Sequence, residues 1–166
     1  MIARFQASAE AVGCIVKKFS TLSDAAAYVI ETAGPVAAGS GLPCRIRQEL
    51  AGLAFASPGQ YRDTPTGVSF ALAGIASTGS LLLDLADPVE RSATALPPVH
   101  MVFLRASSIV PDIRDLHGAL EKLISDKPHS YLSISTGPSR TADIERVLTI
   151  GVHGPRELQI LIIEGD

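Results

Sequence analysis

The stretch "VHMVFLRA", Val99 to Ala106, decides the fold. A strand with one wet face alternates apolar and polar residues. This one is apolar on both faces, as expected of a strand buried inside a parallel sheet with helices on either side. "LQILIIE" (158–164) reads the same way near the end of the chain. Between the two, Pro111 suits the first turn of a helix, and Ile113, Leu116, Leu120, Leu123 and Ile124 form its apolar stripe. "SYLSIS" (130–135) reads as a strand, and a helix is expected from about Thr141 to Thr149.

Reading outward toward the N-terminus, the same alternation continues. Ile2, Phe5, Ala9 and Val12 lie at helical spacing and Gly13 is a natural stop. "CIVKKF" (14–19) reads as a strand, and Ser23 can cap a helix running to about Thr32. "PVAAGSG" (35–41) is a short apolar strand ending in a glycine-rich loop, Pro43 to Ala51 suggests a helix, and "LAFA" (53–56) a further strand. "SPGQYRDTPTG" is turn chemistry. "GVSFALAGIASTGSLLLDLA" (67–86) suggests a strand, a small-residue helix, a tight Thr78-Gly79 turn and a buried strand at 80–85. "DPVERSATALPP" is a polar stretch. Strands alternating with helices imply an α/β chain with a mostly parallel sheet covered on both faces, and residues 1–166 read as one domain.

Composition narrows the function. The chain is 46% hydrophobic but only 5% aromatic, with no Trp, so its core is aliphatic. A formal charge of −3 gives no basic footprint for nucleic acid. No run approaches the ~20 apolar residues of a membrane span. The N-terminus lacks a signal-peptide core and carries Glu10, so a cytoplasmic protein is expected. Cys14 and Cys44, thirty residues apart, fit neither a zinc spacing nor the four thiolates of a cubane iron–sulfur cluster, and are expected to be reduced. No P-loop or nucleophile elbow is present, and "GSG" at 39–41 lacks the third glycine of a dinucleotide fingerprint. No cofactor and no metal is expected.

Ligands of parallel sheets bind in loops at the carboxyl ends of the strands. That rule selects three loops: Gly39–Pro43, Ser77–Ser80 and Thr136–Thr141. The third is the richest in polar chemistry. Gly137 permits close backbone approach, and Ser139 or Thr141 can cap the expected helix. The unpaired N–H groups at such a helix start favour an anion, with Arg140 as a bidentate grip. Candidate ligand-binding residues are Thr78, Gly79, Ser80, Thr136, Gly137, Ser139, Arg140 and Thr141. A plainer reading stands beside this one: Ser139 or Thr141 only caps, and Arg140 pairs with Asp143 or Glu145. His100 and His153, with Asp143 or Glu145, could compose a polar acid/base site. Their spacing matches no metal motif, and a hydrogen-bonded structural role suits His100 better. His117 and His129 read as surface residues.

Taken together, "GIASTGSLLL", "LPPVHMVFL", "IVPDI" and "TGPSRTADIERVLTIGVHGPRELQILIIE" resemble the lactate utilization protein C family, the LUD-domain proteins. The resemblance covers most of residues 66–164. It implies a three-layer α/β/α fold similar to the ribose-phosphate isomerase, glucosamine-phosphate deaminase and CoA-transferase group. It further implies a role in bacterial oxidation of L-lactate to pyruvate, beside two partner proteins carrying iron–sulfur clusters. With no cysteine set of its own to carry electrons, the chain is expected to be an accessory there, and its polar loops to bind a small anionic ligand. The alternative is a free-standing enzyme or binder for a phosphorylated or CoA-linked metabolite. Two departures from the family pattern stand out. Ser77 replaces a commonly acidic residue, which weighs against acyl transfer through a carboxylate there. Met1 also opens directly on the first helix, where relatives often carry an additional helical segment.

Overall fold

Two buried strands, each flanked by another parallel strand, build the centre of the molecule. The computed structural model describes residues 1–126, 131–142, 148–150 and 154–165. In chain order its elements are α1 (Ile2–Ala11), β1 (Ile15–Phe19), α2 (Leu22–Thr32), β2 (Val36–Ala37), α3 (Cys44–Glu49), β3 (Thr66–Phe70), β4 (Ala73–Ile75) and β5 (Ser80–Asp84). They continue with α4 (Pro88–Ala95), β6 (Val99–Arg105), β7 (Ile109–Val110), α5 (His117–Ser125), β8 (Leu132–Ser135), β9 (Arg140–Ala142), β10 (Leu148–Ile150) and β11 (Glu157–Ile163). The main sheet has the order β1-β11-β6-β3-β2, with every pairing parallel.

The two-residue period of a strand sorts its side chains into two cores. Val102 and Leu104 of β6 join Leu158, Ile160 and Ile162 of β11 against Phe5 and Ala9 of α1. Met101 and Phe103 join Leu161 and Ile163 against Ala25, Ala26 and Val29 of α2 and Ile46 of α3. The continuous apolar run at 99–106 therefore fills both faces of one strand. Helices cover both faces, giving the three-layer α/β/α arrangement. A second sheet, ordered β7-β4-β5-β8, lies on the α1 side, its β4 beside β6.

Three elements differ from the expectation, each for a local reason. Residues 73–75 form β4 rather than a small-residue helix. A Cβ on Gly74 would come within 2.9 Å of both Leu104 and Phe5, so the small residues serve close sheet packing. The helix expected from about Thr141 to Thr149 does not begin at Thr141, and residues 143–147 lie outside the described residues. Arg140–Ala142 pairs antiparallel with Leu148–Ile150, Thr141 opposite Thr149, as suits β-branched residues. "LAFA" contributes only an isolated bridge, Val36 with Phe55. In the other direction, the polar stretch after residue 86 contains α4. Asp87 caps it by accepting from Val89 N at 2.8 Å, and Pro88 supplies its first turn.

Candidate functional site

Because β8 belongs to the second sheet, the loop after it does not lie at the carboxyl ends of the parallel strands. Ser139 N donates to Pro155 O, just before β11, at 2.9 Å. Arg140 Nη2 donates to Val12 O, just before β1, at 2.8 Å. The loop 136–140 thus sits at the amino end of the main sheet, opposite the place selected by the strand-end rule. Its anion-binding rationale changes too, since Arg140 and Thr141 open a strand and not a helix.

The structure nevertheless brings several candidate residues together. Thr78 Oγ1 lies 2.7 Å from Ser80 Oγ, which lies 2.7 Å from Thr136 Oγ1. The three hydroxyls form a chain across the ends of β5 and β8, where Leu81 pairs with Ser135. Gly79, at φ +69, turns the chain against α1, where a Cβ would overlap the backbone of Ala9. Gly137, at φ +80, leaves no room for a side chain beside Val12 O. The two loops are therefore neighbours, both anchored on α1.

Beside them a polar cavity of about 200 Å³ is lined by Thr94, His100, Ser133, Ser135, Gly137 and Ser139, with Leu83 and Leu85 as its apolar wall. His100 is 3% exposed, and its Nε2 lies 2.8 Å from Ser69 Oγ. Burial pushes its pKa down to about 4, so the ring is neutral at pH 7. Cys14 lies under the same loop. Burial raises its pKa to about 11, only partly offset by the Gly137 N–H and the Arg140 charge, which keeps the thiol protonated and unreactive. Asp143, Glu145 and His153, the other members of the expected polar site, lie outside the described residues, as does His129. His117 is exposed at the start of α5, with Nδ1 3.5 Å from Glu121 Oε2. Among the described residues, no group of three or more His, Cys, Asp or Glu side chains is placed to hold a metal ion.

The true carboxyl end carries a different set. The loop Gly39–Pro43 follows β2 there, as expected, and closes over Glu90 of α4. Glu90 is 4% exposed, and its Oε2 accepts from Gly41 N at 3.1 Å. Burial raises its pKa, the Gly41 N–H opposes, and the nearby Asp87 charge raises it further. Ser40 Oγ donates to Asp87 Oδ2, and Arg47 Nη2 donates to Gly39 O at 2.7 Å. A cavity of about 220 Å³ opens between this loop, Phe70, Leu72 and α4. Glu90 was not legible as a site residue, because inside a polar stretch an acid on a helix reads as solvated. The signal available was the cap Asp87-Pro88, which starts a helix whose next turn points Glu90 the same way as Asp87.

The LUD domain profile matches residues 60–163, more than half of the chain. The chain belongs to the LUD domain family. YkgG of Escherichia coli, an uncharacterized protein, is 36% identical over 107 residues, 63% of this chain and 46% of that one. A lactate utilization protein C of Deinococcus radiodurans is 36% identical over 91 residues, 54% of this chain and 42% of that one. The Bacillus subtilis protein of the same name is 30% identical over 99 residues, 58% and 41% respectively. The LUD domain chain thus spans less than half the length of these curated relatives. A solved DUF162 family protein from D. radiodurans shares the fold, with a TM-score of 0.66 over 98% of this chain and 95% of that one, at 18% identity. No helix among the described residues is long and apolar enough to cross a membrane.

Proposed function

We propose that this LUD domain serves bacterial L-lactate utilization as an accessory component. It acts beside partner proteins that carry iron–sulfur clusters, and it binds a small anionic molecule. The observation that carries this reading is the relatives named lactate utilization protein C, 30% and 36% identical over about a hundred residues each. Chemistry supports the accessory part. Oxidation of lactate to pyruvate moves two electrons. This chain has two cysteines, one of them buried with a raised pKa, against the four thiolates of a cubane cluster. The electron carriers then belong to the partners.

The anion is assigned to the polar cavity at the amino end of the sheet. Ser133, Ser135 and Ser139 supply hydroxyl donors, and His100 adds a neutral ring. Neutral hydroxyls bind a carboxylate without placing a like charge beside it. Dye reduction tests the accessory role. The purified chain alone reduces no dye with L-lactate as donor, and lactate-dependent dye reduction by this chain in isolation would refute the reading.

A further inference from the structure

We propose that the outer edge of β8 is a dimerisation site, and that it takes β8 of a second copy of this chain, paired antiparallel about Ser133. The argument does not depend on the ligand reading above.

The sheet edges of this fold are not alike. A free edge offers unpaired N–H and C=O groups to any other strand, and folded proteins blunt such edges with charge, proline or extreme shortness. In the main sheet, β1 carries Lys17 and Lys18, and β2 has two residues. In the second sheet, β7 also has two residues. The fourth edge is β8, four residues reading Leu-Ser-Ile-Ser, with neither charge nor proline. Its Ile134 is 46% exposed.

The register fixes which groups face outward. Leu85 N donates to Tyr131 O at 2.8 Å, and Leu83 and Leu81 stand opposite Ser133 and Ser135. Bonded and non-bonded pairs alternate in an antiparallel ladder. Ser133 and Ser135 therefore bond β5, while Leu132 and Ile134 turn their N–H and C=O groups away from it. Among the described residues, no group pairs with that outer backbone.

A second β8 supplies the complement by symmetry. With Ser133 opposite the partner's Ser133, Leu132 meets the partner's Ile134 in a bonded pair, and Ile134 meets the partner's Leu132 in another. The side chains agree with the backbone, since Leu132 and Ile134 share one face of the strand. Leu132 already packs on the cluster of Ala73, Ile75, Leu82 and Leu116. Ile134 has Leu82 as its cross-strand neighbour on the β5 side alone. The partner's Leu132 fills the other side, so an apolar row runs from Leu82 through Ile134 to the partner's Leu132. One two-fold axis satisfies backbone and side chains together, and such an isologous contact closes at a dimer. A different strand would pair the backbone and leave the apolar match to its own sequence.

The first test is sedimentation equilibrium of the full chain from about 10 μM to about 1 mM, the range suited to a small interface. The mass is expected to rise from 17.4 kDa toward twice that value. Ile134→Lys places a charge on the exposed edge, as β1 does naturally. It is expected to raise the dimer Kd at least about tenfold, since both symmetric pairs lose their apolar partner. Its melting temperature, measured at low concentration, is expected to stay unchanged. Cross-linking reads the register without that variant. In a Cys44→Ser background, which removes the exposed thiol, Ser133→Cys sets two thiols across a non-bonded pair. Their Cα atoms then lie about 4.5 Å apart, within disulfide reach, and oxidised glutathione is expected to give a covalent dimer. Ile134→Cys, one residue off the axis, holds the two Cα atoms roughly 8 Å apart and is expected to give none. A chain that stays monomeric throughout the range, a dimer whose Kd Ile134→Lys leaves unchanged, or cross-linking at position 134 as ready as at 133 would each overturn the proposal.

Discussion

Arg140 donates from Nη2 to the carbonyl oxygen of Val12 at 2.8 Å, and this bond ties the loop after β8 to the end of α1. The guanidinium also stacks over the Gly13 turn, where a Cβ would lie 2.5 Å from Nη2. Arg140 therefore has a structural task whether or not an anion binds beside it. Arg140→Ala is expected to lower stability by roughly 0.5–1.5 kcal/mol, the usual worth of one hydrogen bond. Urea unfolding of the two proteins measures it. An unchanged midpoint would show that the bond contributes nothing and that any loss of function in the variant is a ligand effect.

His100 makes stability depend on pH. Its folded pKa of about 4 lies below the ordinary 6.5, because burial disfavours the charged ring. Between those values the unfolded chain binds more protons than the folded one, so stability rises with pH across that window. It is fully present above about pH 6.5 and falls away toward pH 4. The full difference is roughly 3 kcal/mol. Glu90 acts in the opposite sense, since its folded pKa is raised and stability falls as pH rises through it. The His100 component is therefore read as the difference between wild type and His100→Gln in thermal melts from pH 4 to 8. Parallel pH profiles for the two proteins would refute the assignment.

Ser69 partners the same ring at 2.8 Å and is 1% exposed. Ser69→Ala leaves a buried imidazole nitrogen without that bond, and about 1–3 kcal/mol of stability is expected to be lost. Ser133→Ala, on the half-buried wall of the same cavity, should cost far less. Equal losses from the two variants would show that the Ser69–His100 bond has no special weight.

Gly39→Ala tests the loop over Glu90. With no room for the methyl group, the loop or α4 must shift, and overpacking of this kind typically costs about 1–3 kcal/mol. Gly59→Ala is the control, since nothing lies within 4 Å of its Cβ position. A Gly39→Ala protein as stable as the Gly59→Ala protein would mean the loop gives way freely.

The strands were legible where both faces are buried. "VHMVFLRA" and "LQILIIE" carry an uninterrupted apolar run that only a central parallel strand needs, and both are found within a residue or two of the expected bounds. Helix α2 was legible from its cap and stripe, with Thr21 rather than Ser23 as the cap. The pairing of β9 with β10 was not, because Ser139 and Thr141 after the Gly137-Pro138 break read as the cap of a helix. The role of β4 was also hidden: Ala73-Gly74-Ile75 is too short and too small to signal a strand until Leu104 and Phe5 are seen against it. The site loops were misplaced for a topological reason. Loops 78–80 and 136–140 follow strands of a second sheet, and a single sequence does not show that two sheets divide its strands.

One measurement tests the accessory role in lactate utilization most directly: growth of the source bacterium on L-lactate as sole carbon source after deletion of this chain's coding sequence. Growth on lactate is expected to fail while growth on glucose continues, and the wild-type chain supplied in trans should restore it. Undiminished growth of the deletion strain on L-lactate would contradict the account.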